Sequence, residues 1–343
     1  KMFVIVSLAK ITKLIVMHRH GARTTISPAP ADSDTYNCDL QTMISQNMSP
    51  NQLALTYDVI NPQTGNCSTG ELLGAGYIQL KNVGFYLNKT YSEFIKSAKK
   101  RYFRSTFNQR TLASLKALLD QLFPEENHDV HVGDENMDPM ELNTCPFYDS
   151  YLEQTARAPS MSAHDAELKK LKSLLKYQES DALAWWQVAD QFEAREFLRM
   201  GVPKAVDAQL TKLVHEMHSQ QWEELYCQKD QILLNRFLKI SSGLFIPELI
   251  GALTGENEFL VFSAHQETIA PLLRILAAGW KCEEPPLGSA LELVVSEDKV
   301  SLKFQGQVVK MFCGEVCTVV EVVAELNKWV VTDAERTELC KKL

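Results

Sequence analysis

What this 343-residue chain lacks narrows its reading first. It has no excess of basic residues: 35 Lys and Arg face 43 Asp and Glu, a formal charge of −8. A phosphate backbone needs clustered cations, so no nucleic-acid partner is expected. The same sign leaves a small anionic substrate open, because a local pocket can oppose the net charge. No run of roughly 18 or more apolar residues occurs, so no transmembrane segment is expected. No C-x-x-C pair occurs, which removes the usual zinc spacings, and no internal repeat is visible. With 45% hydrophobic and 23% charged residues, the chain is not disordered, collagen-like or a coiled coil. Its length suits one large domain or two smaller ones.

Eight cysteines are present, an even count compatible with disulfides, metal ligands or chance. Cys313 and Cys317 lie four apart and can close a small loop; Cys38, Cys67, Cys145, Cys227, Cys282 and Cys340 are scattered, as long-range bridges would be. Three acceptor sequons accompany them: Asn47-Met48-Ser49, Asn66-Cys67-Ser68 and Asn88-Lys89-Thr90. Together they favour an oxidising, secretory setting over free thiols in a cytosolic protein. Behind Lys1, the apolar run Met2 to Ala9 suits either a signal-peptide stub or one of a pair of strands. The ending Cys340-Lys341-Lys342-Leu343 has lysines where a prenylation box needs aliphatic residues, which favours a disulfide role for Cys340.

Residues 12–17 form a short β-branched apolar run ending at His18, which predicts a buried strand feeding a loop. Residues 71–103 carry helical periodicity through Leu72, Leu73, Tyr77, Leu80, Val83, Phe85 and Leu87, and the basic stretch Lys96 to Arg101 reads as an exposed helix end. Residues 110–123 repeat the pattern through Leu112, Leu115, Leu118, Leu119 and Leu122 until Pro124 stops it. The polar stretch 124–146 reads as a loop or boundary. From 147 to 240 the signal is almost wholly helical, with Leu168, Leu171, Leu174, Leu175, Trp185, Trp186 and Phe192. Residues 259–263 are a second short apolar run that leads to a histidine. The tail alternates through Leu291, Leu293, Val295, Val300, Leu302 and Phe304, as antiparallel strands do. This order predicts an α/β layer with an inserted helical lobe.

The sharpest chemistry lies in His18-Arg19-His20-Gly21-Ala22-Arg23, at the carboxyl end of the first strand, where ligands of open α/β sheets bind. Gly21 allows a tight turn and close approach to a ligand. Arg19 and Arg23 bracket His20 with guanidinium forks that match phosphate oxygens. Their like charge pushes His20 toward neutral imidazole, a plausible nucleophile beside a clamped phosphate. Two cations would also offset charge on a phosphoryl transition state. The same residues admit a metal site on His18, His20 and His265, but the arginines would repel a dication, so His18 reads as a packing residue. A turn held by salt bridges is the purely structural alternative. In Phe262 to Thr268, His265 sits at a strand end with Glu267 two residues on. His265 suits a phosphate oxygen, and Glu267 suits protonation of a leaving alkoxide. In Arg104 to Leu112, Arg110 at a helix start makes an anion site. His128-Asp129-Val130-His131 with Asp134 and Glu135 looks like a metal cluster, but it lies in a polar loop and reads as solvated. Trp185-Trp186 would line a substrate mouth or, as is commoner, pack in the core.

Arg19-His20-Gly21-Ala22-Arg23 resembles the signature of the histidine acid phosphatases, the second branch of the histidine phosphatase superfamily. Arg104 through Leu112 is similar to that family's central arginine segment, and Ser263-Ala264-His265 to its C-terminal histidine motif. Leu122-Phe123-Pro124, Cys145-Pro146 and the Cys313/Cys317 pair fall in the family's order, so the resemblance spans about residues 12–340. It implies a three-layer α/β/α core with a mostly parallel central sheet, formed by residues 1–130 and 231–343, and an inserted helical cap domain at 131–230. It implies His20 as a nucleophile forming a phosphohistidine, with Arg19, Arg23, Arg110 and His265 holding the phosphate. No metal or cofactor, an acid optimum and a small phosphorylated substrate are implied as well. So are the bridges Cys145–Cys340, Cys313–Cys317 and Cys227–Cys282, which leave Cys38 and Cys67 for each other. Dimers occur among relatives, so a homodimer is a further expectation, and the implied location is secreted or lysosomal.

Two positions depart from the family pattern. Thr25 stands where members usually have Pro, which implies a less rigid loop. Gln266 stands where most have Asp as proton donor, and an amide cannot donate as a carboxylic acid does. His265-Gln266-Glu267 is similar to the His-Ala-Glu pattern of the multiple inositol polyphosphate phosphatase subgroup, which implies Glu267 as donor. His20, Glu267 and His265 are thus the candidate catalytic residues, and Arg19, Arg23 and Arg110 the candidate substrate-binding ones. The expected function is hydrolysis of phosphate monoesters. The alternative is a non-catalytic or weakly active phosphate-ester binding protein, and a metal-dependent hydrolase on His18 and His20 ranks third. General acid catalysis is worth roughly 10²–10⁴-fold, so the choice turns on the acid. The regions that would choose the substrate, 24–65 and 124–230, carry no motif naming a sugar, lipid, inositol or protein phosphate.

Overall fold

The apolar run at 12–17 forms β1 (Ile11–Arg19), buried from Lys13 onward. In the computed structural model, which describes residues 10–36, 38, 67–135, 137–141 and 144–341, β1 lies inside an eight-stranded sheet. The Met2 to Ala9 run, the sequons at Asn47 and Asn66 and most of the 24–65 segment lie outside the described residues. The chain continues through α1 (Gly74–Ser97), β2 (Arg101–Ser105), α2 (Gln109–Leu122) and β3 (Val130–Val132). A helical block follows: α3 (Pro146–Ala156), α4 (Pro159–Ser162), α5 (Asp165–Leu174), α6 (Trp185–Phe197), α7 (Ala208–Tyr226), α8 (Gln231–Ser242) and α9 (Ile246–Thr254). β4 (Phe259–Ala264) and α10 (Gln266–Leu276) return to the sheet. β5 (Ala290–Ser296), β6 (Lys299–Phe304), β7 (Gln307–Val309), β8 (Val316–Thr318), α11 (Val319–Asn327) and α12 (Asp333–Leu339) complete the described chain.

The sheet order is β3-β2-β4-β1-β5-β6-β7, with β8 also paired to β6. β3, β2, β4 and β1 are mutually parallel. β5 to β8 extend the sheet antiparallel, as the alternation in the tail predicts. The pleat of β1 sorts its side chains into two cores. Leu14 and Val16 pack with Leu80, Leu87, Leu115 and Leu118 of α1 and α2. Ile15 and Met17 pack with Leu249, Leu272, Leu276 and Val322 of α9, α10 and α11. The result is the expected α/β fold in three layers, a mostly parallel central sheet between helices. Each such side chain contributes about 1.5–3 kcal/mol on burial, so a strand covered on both faces is a firm base for the loop that leaves it.

The helical periodicity across 71–103 breaks at Ser97. Tyr102 and Phe103 favour a strand, and parallel pairing of β2 with β3 and β4 prevails over continued helix. The buried face of α1 is Tyr77, Leu80, Gly84, Leu87 and Tyr91, which leaves Phe85 60% exposed rather than on the apolar face. β3 arises within the stretch expected to be loop. Leu171, Leu175, Phe192, Leu210 and Val214 form a cluster within the helical block. A second, aromatic cluster with Tyr151 stacked on Phe237 joins α3 and α7 to α8. The cysteines pair as the resemblance implies, Cys38–Cys67, Cys145–Cys340, Cys227–Cys282 and Cys313–Cys317, with Cα separations of 5.2–5.9 Å. Among the described residues no single helix is long and apolar enough to cross a membrane.

Candidate active site

β1, β4 and β2 are adjacent and parallel, with His18 and Ser105 both level with Ser263, so their carboxyl ends emerge together. The three segments that follow them therefore meet at one edge of the sheet. Their side chains line a cavity of about 420 Å³ that includes Arg19, His20, Arg23, Arg110, His265 and Glu267. All six candidate residues are thus brought to one site of ligand size.

His20 is 3% exposed. Its Nδ1 lies 2.9 Å from the Gly21 carbonyl, which can only accept, so Nδ1 carries the proton and Nε2 keeps its lone pair. Main-chain bonds to the Ala264 carbonyl (3.0 Å) and from the Gly288 N–H (2.9 Å) fix the residue between β4 and the segment before β5. Burial pushes the His20 pKa well below its ordinary value, and the charges of Arg110, Arg23 and Arg19 push it further. Gly21 serves a different purpose from the one expected of it. A Cβ there would lie 2.2 Å from the Gly76 carbonyl oxygen, and one on Gly76 would lie 2.2 Å from that of Ala22. The glycines let the loop lie against the first turn of α1; they do not open it to a ligand.

The loop after Arg23 is held, not loosened, by Thr25. This residue is fully buried, and its Oγ1 donates to Asp190 Oδ2 at 2.5 Å. The Ile26 N–H donates to the same oxygen at 2.9 Å, and Arg23 Nη2 meets Asp190 Oδ1 at 2.7 Å. One carboxylate from α6 therefore supplies the constraint that a proline ring would give. Arg19 Nη1 donates to Glu284 Oε1 (3.0 Å) and to the Pro285 carbonyl (2.7 Å). Arg110, in the first turn of α2, donates from Nη1 to Asn108 Oδ1 at 3.1 Å. Burial, then the charge of Arg23, lowers its pKa to about 10, so it stays a cation at any working pH. The Nε atoms of Arg19, Arg23 and Arg110 are buried without a protein hydrogen-bond partner, a desolvation that an anion would relieve.

His265 caps α10 and has Nε2 2.9 Å from Thr106 Oγ1 and 3.3 Å from Glu141 Oε1. A carboxylate only accepts, so the proton is on Nε2. Burial lowers the His265 pKa, and Glu141 opposes that shift. The rings of His20 and His265 meet edge to face, 5.6 Å between centroids. Glu267 stands in the first turn of α10, and Gln266 Nε2 donates to its Oε1 at 3.0 Å. Asp190, Glu193 and Glu284 also line the cavity, and Glu141 and Thr106 support it from behind. None carries a local signal in the sequence: Asp190 and Thr25, for instance, are 165 residues apart.

Other candidates lie elsewhere. His18 is fully buried, with Nδ1 3.2 Å from the Arg19 carbonyl, and burial lowers its pKa to about 4; it does not reach the cavity wall. Among the described residues no group of three or more His, Cys, Asp or Glu side chains is arranged to hold a metal. His128 is not solvated but half-buried, edge-on to Phe103 and Phe123, while exposed His131 stacks on Tyr102. Trp185 and Trp186 part company: Trp185 is core, 4% exposed, and Trp186 lines the cavity. Arg104 is buried and paired with Asp138 (2.8 Å) and Glu248 (2.9 Å), away from the cavity wall.

A sequence model of the histidine phosphatase superfamily (branch 2) matches residues 10–309. Counting factor 60 of Dictyostelium discoideum is 23% identical in an alignment 337 positions long that covers 85% of this chain and 79% of that protein. Prostatic acid phosphatase of Bos taurus is 23% identical in an alignment 235 positions long that covers 59% of each chain. Hafnia alvei phytase, solved in complex with myo-inositol hexakis sulphate, shares the fold with a TM-score of 0.61 at 15% identity, over 95% of this chain and 98% of that one.

Proposed function

This chain belongs to the histidine phosphatase superfamily (branch 2), and from that premise we propose an acid phosphatase that hydrolyses phosphate monoesters through a phosphohistidine on His20. Membership of a phosphatase family supports phosphatase activity in general. The observation that carries the finer reading is His20 itself, with Nδ1 tied to a carbonyl, in a cavity that also holds three arginines and Glu267. Burial and the arginines keep the imidazole neutral, so Nε2 is a nucleophile even at acid pH. In the first step Nε2 bonds to phosphorus, the ester P–O bond breaks, and Glu267 gives its proton to the leaving oxygen. In the second, water bonds to phosphorus, the P–N bond breaks, and the Glu267 carboxylate takes a proton from the water. Arg19, Arg23 and Arg110 hold the phosphoryl oxygens as charge redistributes, and His265, whose Nε2 proton faces Glu141, donates to them once the bound anion favours a second proton on its Nδ1. A carboxyl donor must be protonated, so turnover falls toward neutral pH. We further propose residues 131–230 as a cap over the site, and a secreted or lysosomal location, supported by four disulfides.

One observation keeps a second reading alive: Gln266 stands directly after His265 and its amide binds the candidate acid, which would suit a phosphate-ester binder with little turnover. Hydrolysis of an aryl and an alkyl phosphate across pH 4–8, with and without chelator, distinguishes the readings. The enzyme reading expects chelator-insensitive turnover, an acid-labile phosphoenzyme, and loss of both in His20→Ala. Glu267→Gln should lose roughly 10²–10⁴-fold on the alkyl ester and less on the aryl ester, whose leaving group needs no proton. Binding of inorganic phosphate without turnover would select the binder, and chelator-sensitive turnover would select a metal enzyme.

A further inference from the structure

The cavity's cations are three arginines interleaved with carboxylates, Glu284 on Arg19 at 3.0 Å and Asp190 on Arg23 at 2.7 Å. Arg19, Arg23 and Arg110 line it together with His20 and His265, and no lysine among the described residues does. Most of the remaining wall is apolar or aromatic, with Leu152, Trp186, Trp222 and Phe237, and its other polar groups include Gln221 and His218, whose imidazole pKa burial lowers to about 4. The remaining charges there are carboxylates, chiefly Glu193 and Glu284. Burial raises both carboxyls above the usual range, and the charge of Arg19 opposes the shift. Arg19 and Arg23 each have one edge committed to a carboxylate, so neither is free to swing toward a second anion. A second phosphate on the same substrate would be placed against aromatic rings or beside Glu193 and Glu284, where it is desolvated with no free cation among the described residues to pair with, and where it is also repelled at any pH that ionises those carboxyls.

We infer that the substrate carries a single phosphate on an apolar or aromatic alcohol portion, and that Glu193 and the aromatic wall exclude esters bearing a second phosphate. This rests on the phosphatase reading for its chemistry, but the ligand class follows from the wall alone. It separates the chain by substrate from the phytase whose fold it shares.

The test compares phenyl phosphate, 1,4-phenylene bisphosphate and inositol hexakisphosphate as substrates, and methyl through octyl phosphate as a series. Expected are kcat/KM values at least about 100-fold higher for phenyl phosphate than for either polyphosphate, and KM falling roughly two- to fourfold per added methylene until the wall is covered. Trp186→Ala, a change at a partly exposed side chain, should raise KM for octyl but not methyl phosphate. Measured toward neutral pH, where the carboxyl ionises, Glu193→Gln, of the same shape, should narrow the gap between phenyl phosphate and its bisphosphate analogue by about tenfold or more. Calorimetry on His20→Ala with phenylphosphonate and inositol hexakissulfate repeats the comparison without turnover. If no ester is hydrolysed but the phosphonate alone binds, the enzyme reading fails and the ligand class stands. Polyphosphate turnover or hexakissulfate binding within tenfold of the aryl ligand, or octyl and methyl phosphate responding alike to Trp186→Ala, would overturn the inference.

Discussion

Asp190→Asn is the perturbation that asks most of the site. In the protein this carboxylate receives Arg23 at 2.7 Å, the Thr25 hydroxyl at 2.5 Å and the Ile26 N–H at 2.9 Å, all in a buried position. Removing one partner of a buried ion pair costs about 3–5 kcal/mol, because the other charge is left desolvated. The amide keeps the shape and one acceptor oxygen, worth about 1 kcal/mol. The net expectation is a loss of roughly 2–4 kcal/mol, which for a chain of this length is about 3–6 °C in melting temperature. Because Arg23 loses its anchor, kcat/KM for an aryl phosphate should fall about tenfold or more, and inhibition by inorganic phosphate should weaken in parallel. Burial works against the charge on Asp190, but Arg23 and the hydrogen bonds outweigh it and hold the carboxyl below its usual range. A depressed carboxyl stabilises the fold above its unfolded value of about 3.9, and that contribution fades as pH falls through the folded value. The stability gap between wild type and variant should therefore be flat from pH 7 to 4.5 and shrink only below. Melting curves across that range, with kinetics at the optimum, are the assay. Unchanged melting and unchanged phosphate affinity would refute the idea that α6 holds the loop.

Three further outcomes are expected. His18→Leu removes a buried imidazole whose pKa lies near 4, so the unfolded chain takes up a proton there below about pH 6.5 that the folded chain does not. Wild-type stability should accordingly fall relative to the variant by about 1.4 kcal/mol per pH unit between pH 6 and 4.5, measured by denaturant unfolding. Gly21→Ala would set its Cβ 2.2 Å from the Gly76 carbonyl, so a loss of about 1–3 kcal/mol with a drop in kcat is expected, and a fully active, equally stable variant would count against the close approach. Trp185→Ala should cost about 3–5 kcal/mol on urea unfolding, whereas Trp186→Ala should leave stability within about 1 kcal/mol.

The parts of the molecule that a sequence reveals are those carried by neighbours along the chain. β1 and β4 are short apolar runs that each lead to a histidine motif, and the antiparallel tail alternates, so both were readable. The six candidate residues follow strand ends or begin a helix, and parallel registry of β1, β4 and β2 brings them into one cavity. What could not be read depends on distant segments. β2 looked like a helical continuation because its strand character comes from pairing with β3 and β4. Thr25 looked like a loosened proline position because its partner is an aspartate 165 residues on. Gly21 looked like an opening for a ligand because Gly76 on α1, which fills that space, is 55 positions away in the sequence. Glu141 reaches His265 only through the folded packing of a polar segment that the sequence presents as a loop.

The contrast between a chain of charge −8 and a cavity containing three arginines is resolved by the same distant carboxylates. Arg19 is held by Glu284 and Arg23 by Asp190; Arg110 has a neutral partner, Asn108, and feels Glu141, Glu267 and Asp190 at longer range. These acids lower the net charge of the site, which weakens its attraction for any anion at long range. They also fix the direction of each guanidinium before a substrate arrives. Fixed donors do not have to reorient as charge moves during phosphoryl transfer, and among side chains as buried as Arg19 and Arg23 that orientation counts for more than net charge. Removing an anchoring carboxylate should therefore do the opposite of what a count of charges suggests. It makes the cavity more positive, yet it should reduce turnover, because a guanidinium free to turn must be ordered again for every transition state.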